Sequence, residues 1–416
     1  MDVNRINFRH LRAFCEVSAL GSISGAARRV HLSQPAVTQA IAKIEMQVGV
    51  ALFERTTEGL LLTEPGELFR LRAERAIQHI EEGTGPAVRR GAKPASGPNG
   101  GSAGVVGRRI TAAQLRALLA VAKTGSFSRA ARLIGMSQSA LYRMARSLES
   151  DAGIALFEVV SRGVVLTRAA DRLARHAALA FEELEQALED IAAWSGRDTA
   201  RVRIGTLPLA RTYLLPHAIN AFLGERPDSY LSVVDGPYDT LIDALRHGQI
   251  DMLIGALRAP EAVADIEQQA LFKDRLALVA RPDHPLAARP EITLEDLSDF
   301  SWIVPRPGAP TRSNFEGMFE ACPELRPAHV VEASSLILIR GILTESDAVA
   351  LISAHQIRHE ESLNILARLN FRVPSAPRQI GLSVRRNWRP TASQQRMIDL
   401  LFDAGAEVAA HYPDPH

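Results

Sequence analysis

Cysteine is scarce: Cys15 and Cys322 are the two in 416 residues, far apart and without CxxC spacing. That excludes a disulfide framework and a thiolate zinc site, and it fits a reducing compartment. Long apolar runs are missing as well. No stretch reaches the roughly 18 residues a membrane span needs. The opening MDVNRINFRHLRAF has no basic segment leading into an apolar run, so no signal peptide is expected. These absences predict a cytoplasmic protein with no membrane partner. There is little excess charge of either sign, with a net charge of +1, so any surface for nucleic acid must be local. No GxGxxG, P-loop or GxSxG stands in the required context, and Asp and Glu are scattered without a nameable acid–base pair, which predicts no enzyme and no cofactor. His355 and His359 precede Glu360 at helical spacing, but no third ligand or HExxH order accompanies them, so no metal is expected. Trp194, Trp302 and Trp388 read as packing in the core or at a lobe edge.

Hydrophobic residues make up 46% and charged residues 23%, which is ordinary for a globular chain long enough for two to four domains. The decisive feature is an internal repeat. Residues 11–63 and 115–167 align without a gap at an offset of 104, with 22 of 53 positions identical. The identities are varied in type: Gly21/Gly125, Ser33/Ser137, Gln34/Gln138, Glu45/Glu149, Phe53/Phe157 and Thr63/Thr167. Between the copies, residues 91–107 are rich in Gly, Pro, Ala and Ser and cannot bury enough surface to order, so they read as a tether.

In the first copy Leu11, Phe14 and Val17 recur at helical spacing and Gly21 breaks the pattern. Ser22 is placed to cap a second helix carrying Ala26, Ala27 and Val30, and His31-Leu32 makes a short turn. Ser33 is placed to cap a third helix, with Pro35 in its first turn and Gly49 after its end. Val37, Ile41 and Ile44 fall on the inward face; Gln34, Thr38, Gln39 and Lys43 fall outward. Two short strands then flank Arg55 to Gly59 as a hairpin tip or wing. A helix, a turn and a third helix with a polar face suit a DNA major groove, where Gln and Thr can bond base edges. Ser33 at a helix start and Arg55 on the wing suit phosphate oxygens.

Ala26-Ala27, the run Leu32 to Thr38, Glu45, Gly49, Leu52 to Thr56 and Leu62 to Gly66 together resemble the reading head of LysR-type transcriptional regulators. The resemblance implies that the helix opening at Ser33 is the recognition helix, with Ser33, Gln34, Pro35, Thr38 and Gln39 toward DNA and Arg55 on the wing. It implies a following linker helix that mediates dimerisation. It also makes double-stranded DNA, a small-molecule effector and RNA polymerase the expected partners of a homodimer or homotetramer.

The second copy is altered. Ser139 replaces Pro35, Tyr142 and Arg143 replace Thr38 and Gln39, Val159 replaces Arg55, and Ala170 stands where Gly66 does. Residues 1–63 hold 7 Lys/Arg and 5 Asp/Glu, net +2, whereas 105–167 hold 9 and 3, net +6. Two readings stand side by side: a second DNA reader using Ser137, Gln138, Ser139, Tyr142, Arg143 and Arg162, or a copy kept for dimer packing. The basic excess favours the reader, through counterion release.

Residues 168–194 continue as an amphipathic helix, a second linker candidate. From about residue 200, strands and helices alternate, which predicts a mostly parallel sheet with covering helices. Strands are expected at 202–205, 232–234, 250–255, 276–281, 302–304, 329–331, 349–352 and 379–384. RIGTLPL (203–209), residues 248–255 and 276–286 resemble the effector domain of the same regulators, a two-lobed α/β architecture similar to periplasmic binding proteins. Ligands of such folds bind beyond strand ends near helix N-termini. The resemblance accordingly implies an effector site at Thr206, Leu207 and Pro208, faced by Gly308, Pro310 and Thr311 and by Ser334 and Ser335, and, by likeness to members of the family that sense such compounds, a small carboxylic acid or a sugar as ligand.

The fold class is thus mixed: winged helix-turn-helix 1 (6–66), linker helix 1 (67–90), tether (91–107), winged helix-turn-helix 2 (108–168), linker helix 2 (169–196) and effector domain (197–416). Within the last, lobe I is 200–277 with 380–416 and lobe II is 278–379. The expected function is a sequence-specific DNA-binding regulator in which effector binding shifts the presentation of the heads. A dimer would carry four heads, and the two heads of one chain could pair through their own linker helices. An α/β binding protein or enzyme with an incidental helical half, and a co-regulator whose heads contact only protein, are the competing readings.

Overall fold

The computed structural model describes residues 6–57, 59–91, 109–161, 163–197, 200–374 and 377–411. Apart from Gly91, the expected tether lies outside them. The chain divides into two compact units, Met1–Thr199 with Arg246–Gly248, and the remainder.

In the first unit α1 (Phe8–Leu20), α2 (Ile23–Val30) and α3 (Gln34–Val48) lead to a hairpin of β1 (Phe53–Thr56) and β2 (Gly59–Leu62), then to a long helix α4 (Glu64–Gly91). The series returns as α5 (Ala112–Thr124), α6 (Phe127–Leu133), α7 (Gln138–Ala152), β3 (Phe157–Val160), β4 (Gly163–Leu166) and α8 (Arg168–Trp194). The expected caps are in place. The hydroxyls of Ser22, Ser33, Ser126 and Ser137 accept the backbone N–H three residues on, which satisfies one orphan donor per helix. Leu11, Phe14, Val17, Val37, Ile41 and Ile44 are buried, as their spacing requires. The first strand, expected at Leu52-Phe53, starts at Phe53 and runs on to Thr56, and the second, expected from Leu60, starts one residue earlier at Gly59. Arg55 therefore lies within β1, paired with Leu60, rather than at the hairpin tip.

Two shared devices hold each hairpin. Leu60 donates its N–H to the Gly21 carbonyl at 3.1 Å, and Val164 does the same to Gly125 at 3.0 Å. This approach needs glycine at 59 and 163: both have φ near +135°, and an added Cβ would sit 2.9 and 2.5 Å from those carbonyl oxygens. In addition, Glu45 accepts the N–H groups of Leu52 and Phe53 at 2.8 and 3.3 Å, and Glu149 those of Leu156 and Phe157 at 2.8 and 3.1 Å. Burial works to raise the Glu149 carboxyl, but those N–H groups and the Arg146 guanidinium outweigh it and hold it below the usual glutamate range. Its contribution to stability is therefore present above the ordinary glutamate pKa and lost as pH falls through the lowered one. Glu149→Gln exchanges a charged acceptor for a neutral one, a difference of about 1 kcal/mol. Hydrogen exchange at the Leu156 and Phe157 amides should then quicken about fivefold; unchanged rates would remove the carboxylate from the hairpin's support.

The long helices α4 and α8 pack against each other. Phe69, Ala73, Ala76 and Ile80 meet a face lined by Leu173, Ala177, Ala180, Leu184, Ala187 and Ile191. Arg72, early in α4, reaches residues late in α8, and His79 and Glu82, late in α4, lie beside His176, early in α8, so the pair is antiparallel. Arg72 is 1% exposed; its guanidinium donates to Asp190 at 2.9 Å, Glu183 at 3.1 Å and Gln186 at 2.7 Å. Arg75 adds a second bond to Glu183 at 2.7 Å. The 104-residue offset maps Arg72 onto His176, His79 onto Glu183 and Glu82 onto Gln186. The helix pair therefore has pseudo-two-fold character, with chemically different ends. Trp194, at the end of α8, is 46% exposed and is not the packed residue expected.

In the second unit one lobe contains β5 (Arg201–Thr206), α9 (Leu214–Glu225), β6 (Tyr230–Asp235), α10 (Tyr238–Arg246), β7 (Met252–Ala256) and β8 (Ile266–Asp274). The chain crosses into β9 (Leu276–Ala280), β10 (Trp302–Val304), α11 (Pro310–Met318), β11 (Val330–Glu332), α12 (Leu336–Glu345), β12 (Val349–Ser353), α13 (Arg358–Ser362) and β13 (Ala367–Arg368). It returns through β14 (Arg378–Arg385) and ends in α14 (Ala392–His411). The two five-stranded sheets run β6-β5-β7-β14-β8 and β11-β10-β12-β9-β13.

These sheets are mixed rather than mostly parallel. β14 pairs antiparallel with β7 and β8, and β9 pairs antiparallel with β12 and β13. Two strands were not expected, the two-residue β13 and the nine-residue β8. The sequence of β8, IEQQALFKD, shows no clean apolar alternation, because an edge strand packs only part of one face. Trp302 is fully buried and its Nε1 donates to the Leu297 carbonyl, as a core tryptophan should.

Candidate DNA-reading face and effector cleft

In the first module Ser33, Gln34, Pro35, Thr38 and Gln39 are exposed along one face of α3, beside exposed Arg55 on β1. With the α1–α2 turn they line an open trough of about 1220 Å³. The Ser33 hydroxyl is occupied by its cap with the Ala36 N–H at 3.4 Å, and the Thr38 hydroxyl donates to the Gln34 carbonyl at 3.1 Å. Gln34 and Gln39 are thus the side chains best placed to offer amides outward.

In the second module Ser137, Gln138, Ser139, Tyr142 and Arg143 are exposed on α7. Tyr142 is tied down more than a free reading residue would be. Its ring meets Phe127 edge-on at 5.4 Å, and its hydroxyl accepts from Arg146 at 3.0 Å. Arg143 keeps an outward position. Arg162 lies outside the described residues.

Between the two sheets of the second unit is a cleft of about 490 Å³, a volume suited to a small molecule. Leu207, Pro208, Gly308, Thr311 and Ser334 line it as expected. Thr206 does not: it is fully buried, the last residue of β5, with its hydroxyl turned to the Leu207 carbonyl. Ser335 is the N-cap of α12 with no side-chain cap bond and is not part of the lining, and Pro310 opens α11. α11 likewise starts at Ala309 without a side-chain cap, so the first N–H groups of both helices have no capping side chain.

The charged lining was not legible in the sequence. Arg258, Arg306 and Arg378 contribute to the wall, with Asp239 as a carboxylate and Tyr238 and Gln356 as further polar groups. The Arg258 guanidinium sits 4.3 Å over the Tyr238 ring. Arg378 donates to Asp274 at 2.7 Å and to the Thr311 hydroxyl at 2.9 Å, and Asp274 also accepts from Ser353. The wall therefore carries more cationic than anionic groups.

The Cys15 thiol is pushed up to about 12 by burial, helped by Glu74 and Glu16, which leaves it unreactive. Glu360 is buried and turned toward Arg340 at 3.6 Å, not into a set with His355 and His359. No helix among the described residues is long and apolar enough to cross a membrane.

A helical module with an exposed polar third helix, coupled in one chain to a two-lobed α/β unit with a ligand-sized cleft, defines an effector-responsive DNA-binding protein. Comparisons with known proteins agree. The model for the LysR substrate binding domain matches residues 195–406, and that for the bacterial regulatory helix-turn-helix protein of the lysR family matches 8–67 and again 112–171. The chain is 33% identical to the HTH-type transcriptional regulator GalR of Pseudomonas putida over 385 residues, 92% of this chain and 94% of that one. It is 28% identical to PcaQ of Agrobacterium fabrum over 311 residues, covering 73% of this chain and 98% of that one. A full-length OxyR variant from Pseudomonas aeruginosa superimposes with a TM-score of 0.51 at 26% identity, covering 73% of this chain and 97% of that one. The chain belongs to the LysR family of transcriptional regulators, proteins that bind DNA and respond to small-molecule effectors, and it is a regulator rather than an enzyme.

Proposed function

We propose that both helical modules are winged helix-turn-helix reading heads, that α4 and α8 join them into one two-headed unit, and that an anionic small molecule in the cleft controls it. One observation carries this reading: pairing α4 with α8 buries the helix stripes and leaves the polar faces of α3 and α7 exposed. The polar cluster around Arg72 favours this heterotypic pair. By the pseudo-two-fold, α4 against a second α4 would set Arg72 opposite His79 and Glu82, with one carboxylate instead of two. An incompletely paired buried guanidinium is costly, so the mixed pair is preferred. The alignment with GalR over 92% of the chain, against 73% for PcaQ and OxyR, is consistent with a second head in that relative as well.

The heads are not equivalent. Pro35, Thr38 and Gln39 in one answer Ser139, Tyr142 and Arg143 in the other, so one chain reads two unlike half-sites. The net +6 of the second head adds phosphate attraction. Chains associate further through their effector units. Tyr230, Val233 and Val234 on edge strand β6 and Val330, Val331, Ile337 and Leu338 on β11 and α12 are large exposed apolar groups suited to a second copy in the cytoplasm, and such an assembly can present four heads to promoter DNA and to RNA polymerase.

Footprinting combined with sedimentation tests this. Gln34→Ala with Thr38→Ala should lower affinity about 10- to 100-fold and erase protection over one half-site. Tyr142→Ala with Arg143→Ala should erase the other half-site and reduce the salt slope by about one. If the second pair of substitutions leaves both footprint and salt slope intact, the second module is a packing element. A dimer protecting only two half-sites would end the four-headed assembly.

A further inference from the structure

We propose that His79, Glu82 and His176 form a divalent transition-metal site, of zinc type, that fastens α4 to α8 at the end of the helix pair opposite Arg72. The three residues come from two helices. His79 and Glu82 are one turn apart on α4, and His176 reaches in from α8. Glu82 Oε2 lies 3.9 Å from His79 Nδ1 and 3.7 Å from His176 Nδ1, and one donor atom from each residue falls within 4.8 Å of the other two. A tetrahedral zinc ion, with nitrogen and oxygen ligands at about 2.0–2.2 Å, holds its donors about 3.3–3.6 Å apart. Contraction by a few tenths of an ångström for the two glutamate pairs, and by at most about 1.5 Å between the imidazoles, is within reach of two rotatable imidazole rings and a half-exposed glutamate. Among the described residues this is the one group of three such side chains able to close on an ion.

Independent features support a built site. Gly83 lets the helices approach here: an added Cβ would lie 2.9 Å from the Cβ of His176. His176 Nδ1 is buried without a hydrogen-bond partner. The nearby cations are turned elsewhere, Arg172 to the Gly83 carbonyl at 3.1 Å and Arg175 to Asp171 at 3.2 Å. The pseudo-two-fold supplies the logic. At one end a guanidinium is the cation that Glu183, Gln186 and Asp190 hold in common. At the other, the counterpart of Arg72 is His176, and the chain presents a set of neutral and anionic ligands that an external cation can bridge. Imidazole and carboxylate suit zinc, nickel, cobalt and copper better than calcium or magnesium. The site concerns the helix pair itself; only its consequence for DNA rests on the reading that both modules bind it.

The test uses the full chain without a histidine tag, titrated with Zn²⁺ by calorimetry and with Co²⁺ by visible absorption. One ion per chain should bind, with d–d bands of a tetrahedral cobalt site, and thermal unfolding of the N-terminal unit should move upward. His176→Gln or His79→Gln should weaken binding at least tenfold. Glu82→Gln, at a half-exposed position that tolerates the change, should do the same with folding intact. His359→Gln should leave binding unchanged. Absence of stoichiometric binding, or uptake that persists in Glu82→Gln and in the double histidine variant, overturns the site. Loss of metal binding with DNA footprints unaltered would keep the site and separate it from head presentation.

Discussion

Arg72→Ala should destabilise the N-terminal unit by about 3–5 kcal/mol, because it takes from two carboxylates in a helix interface the guanidinium they share. Glu183 would keep only Arg75, and Asp190 would lose the bond to the Arg72 Nε; both are largely buried. A domain is stable by about 5–15 kcal/mol in all, so the loss is a large fraction. Arg72→Lys should recover part of it, since an ammonium can neutralise but cannot fork to Glu183, Gln186 and Asp190 at once. Exchanging Arg72, Glu183 and Asp190 together for apolar residues of similar size should recover a larger part, because the fully buried charges leave together and only the partly exposed Arg75 gives up its bond to Glu183. Urea unfolding followed by a probe in the N-terminal unit measures this. If Arg72→Ala shifted the midpoint no more than an exposed control such as Arg29→Ala, the cluster would not be holding α4 to α8.

The second large effect is expected at the cleft. Arg378→Met should weaken binding of an anionic effector about 10- to 100-fold and destabilise the effector unit by roughly 2–3 kcal/mol. Asp274 is fully buried and pairs with Arg378 across the crossover, and the substitution leaves it with Ser353. The figure sits below the fully buried range because Arg378 is 22% exposed and water screens part of the loss. Arg258→Met separates the two roles. Its guanidinium rests on Tyr238 and, among the described residues, has no buried carboxylate to abandon, so affinity should fall with little change in stability. Thermal-shift screening of carboxylic acids against neutral sugars is the readout. A neutral sugar that stabilises the chain as well in Arg258→Met and Arg378→Met as in the unsubstituted protein would refute an anionic effector.

The two halves of the chain differ in how much their sequence discloses. Helix registers, caps and hairpins in both modules were legible to within a residue or two, because Ser33 and Ser137 cap helices locally and Leu11, Phe14 and Val17 fall on one helical stripe. Arg55 moved from the hairpin tip into a strand because a turn's position depends on the register the strands find. β8 was not legible, since its side chains take their pattern from β14 and not from their own alternation. In the cleft the backbone corners at Leu207, Gly308 and Ser334 could be placed from strand-to-helix turns. The arginines that set its charge could not, because Arg258, Arg306 and Arg378 belong to three separate segments.

By itself, then, the order of residues determined what is local: which segments are helices, where they start and stop, that one module occurs twice, and that its third helix has a polar side. Partnership between distant groups was decided only in three dimensions. Arg72 found Glu183 and Asp190 more than a hundred positions away, and His176 came beside His79 and Glu82, because two apolar stripes had to bury each other and small residues allowed the helices close. Burial of those stripes selects the neighbours, and the neighbours give each charged group its meaning.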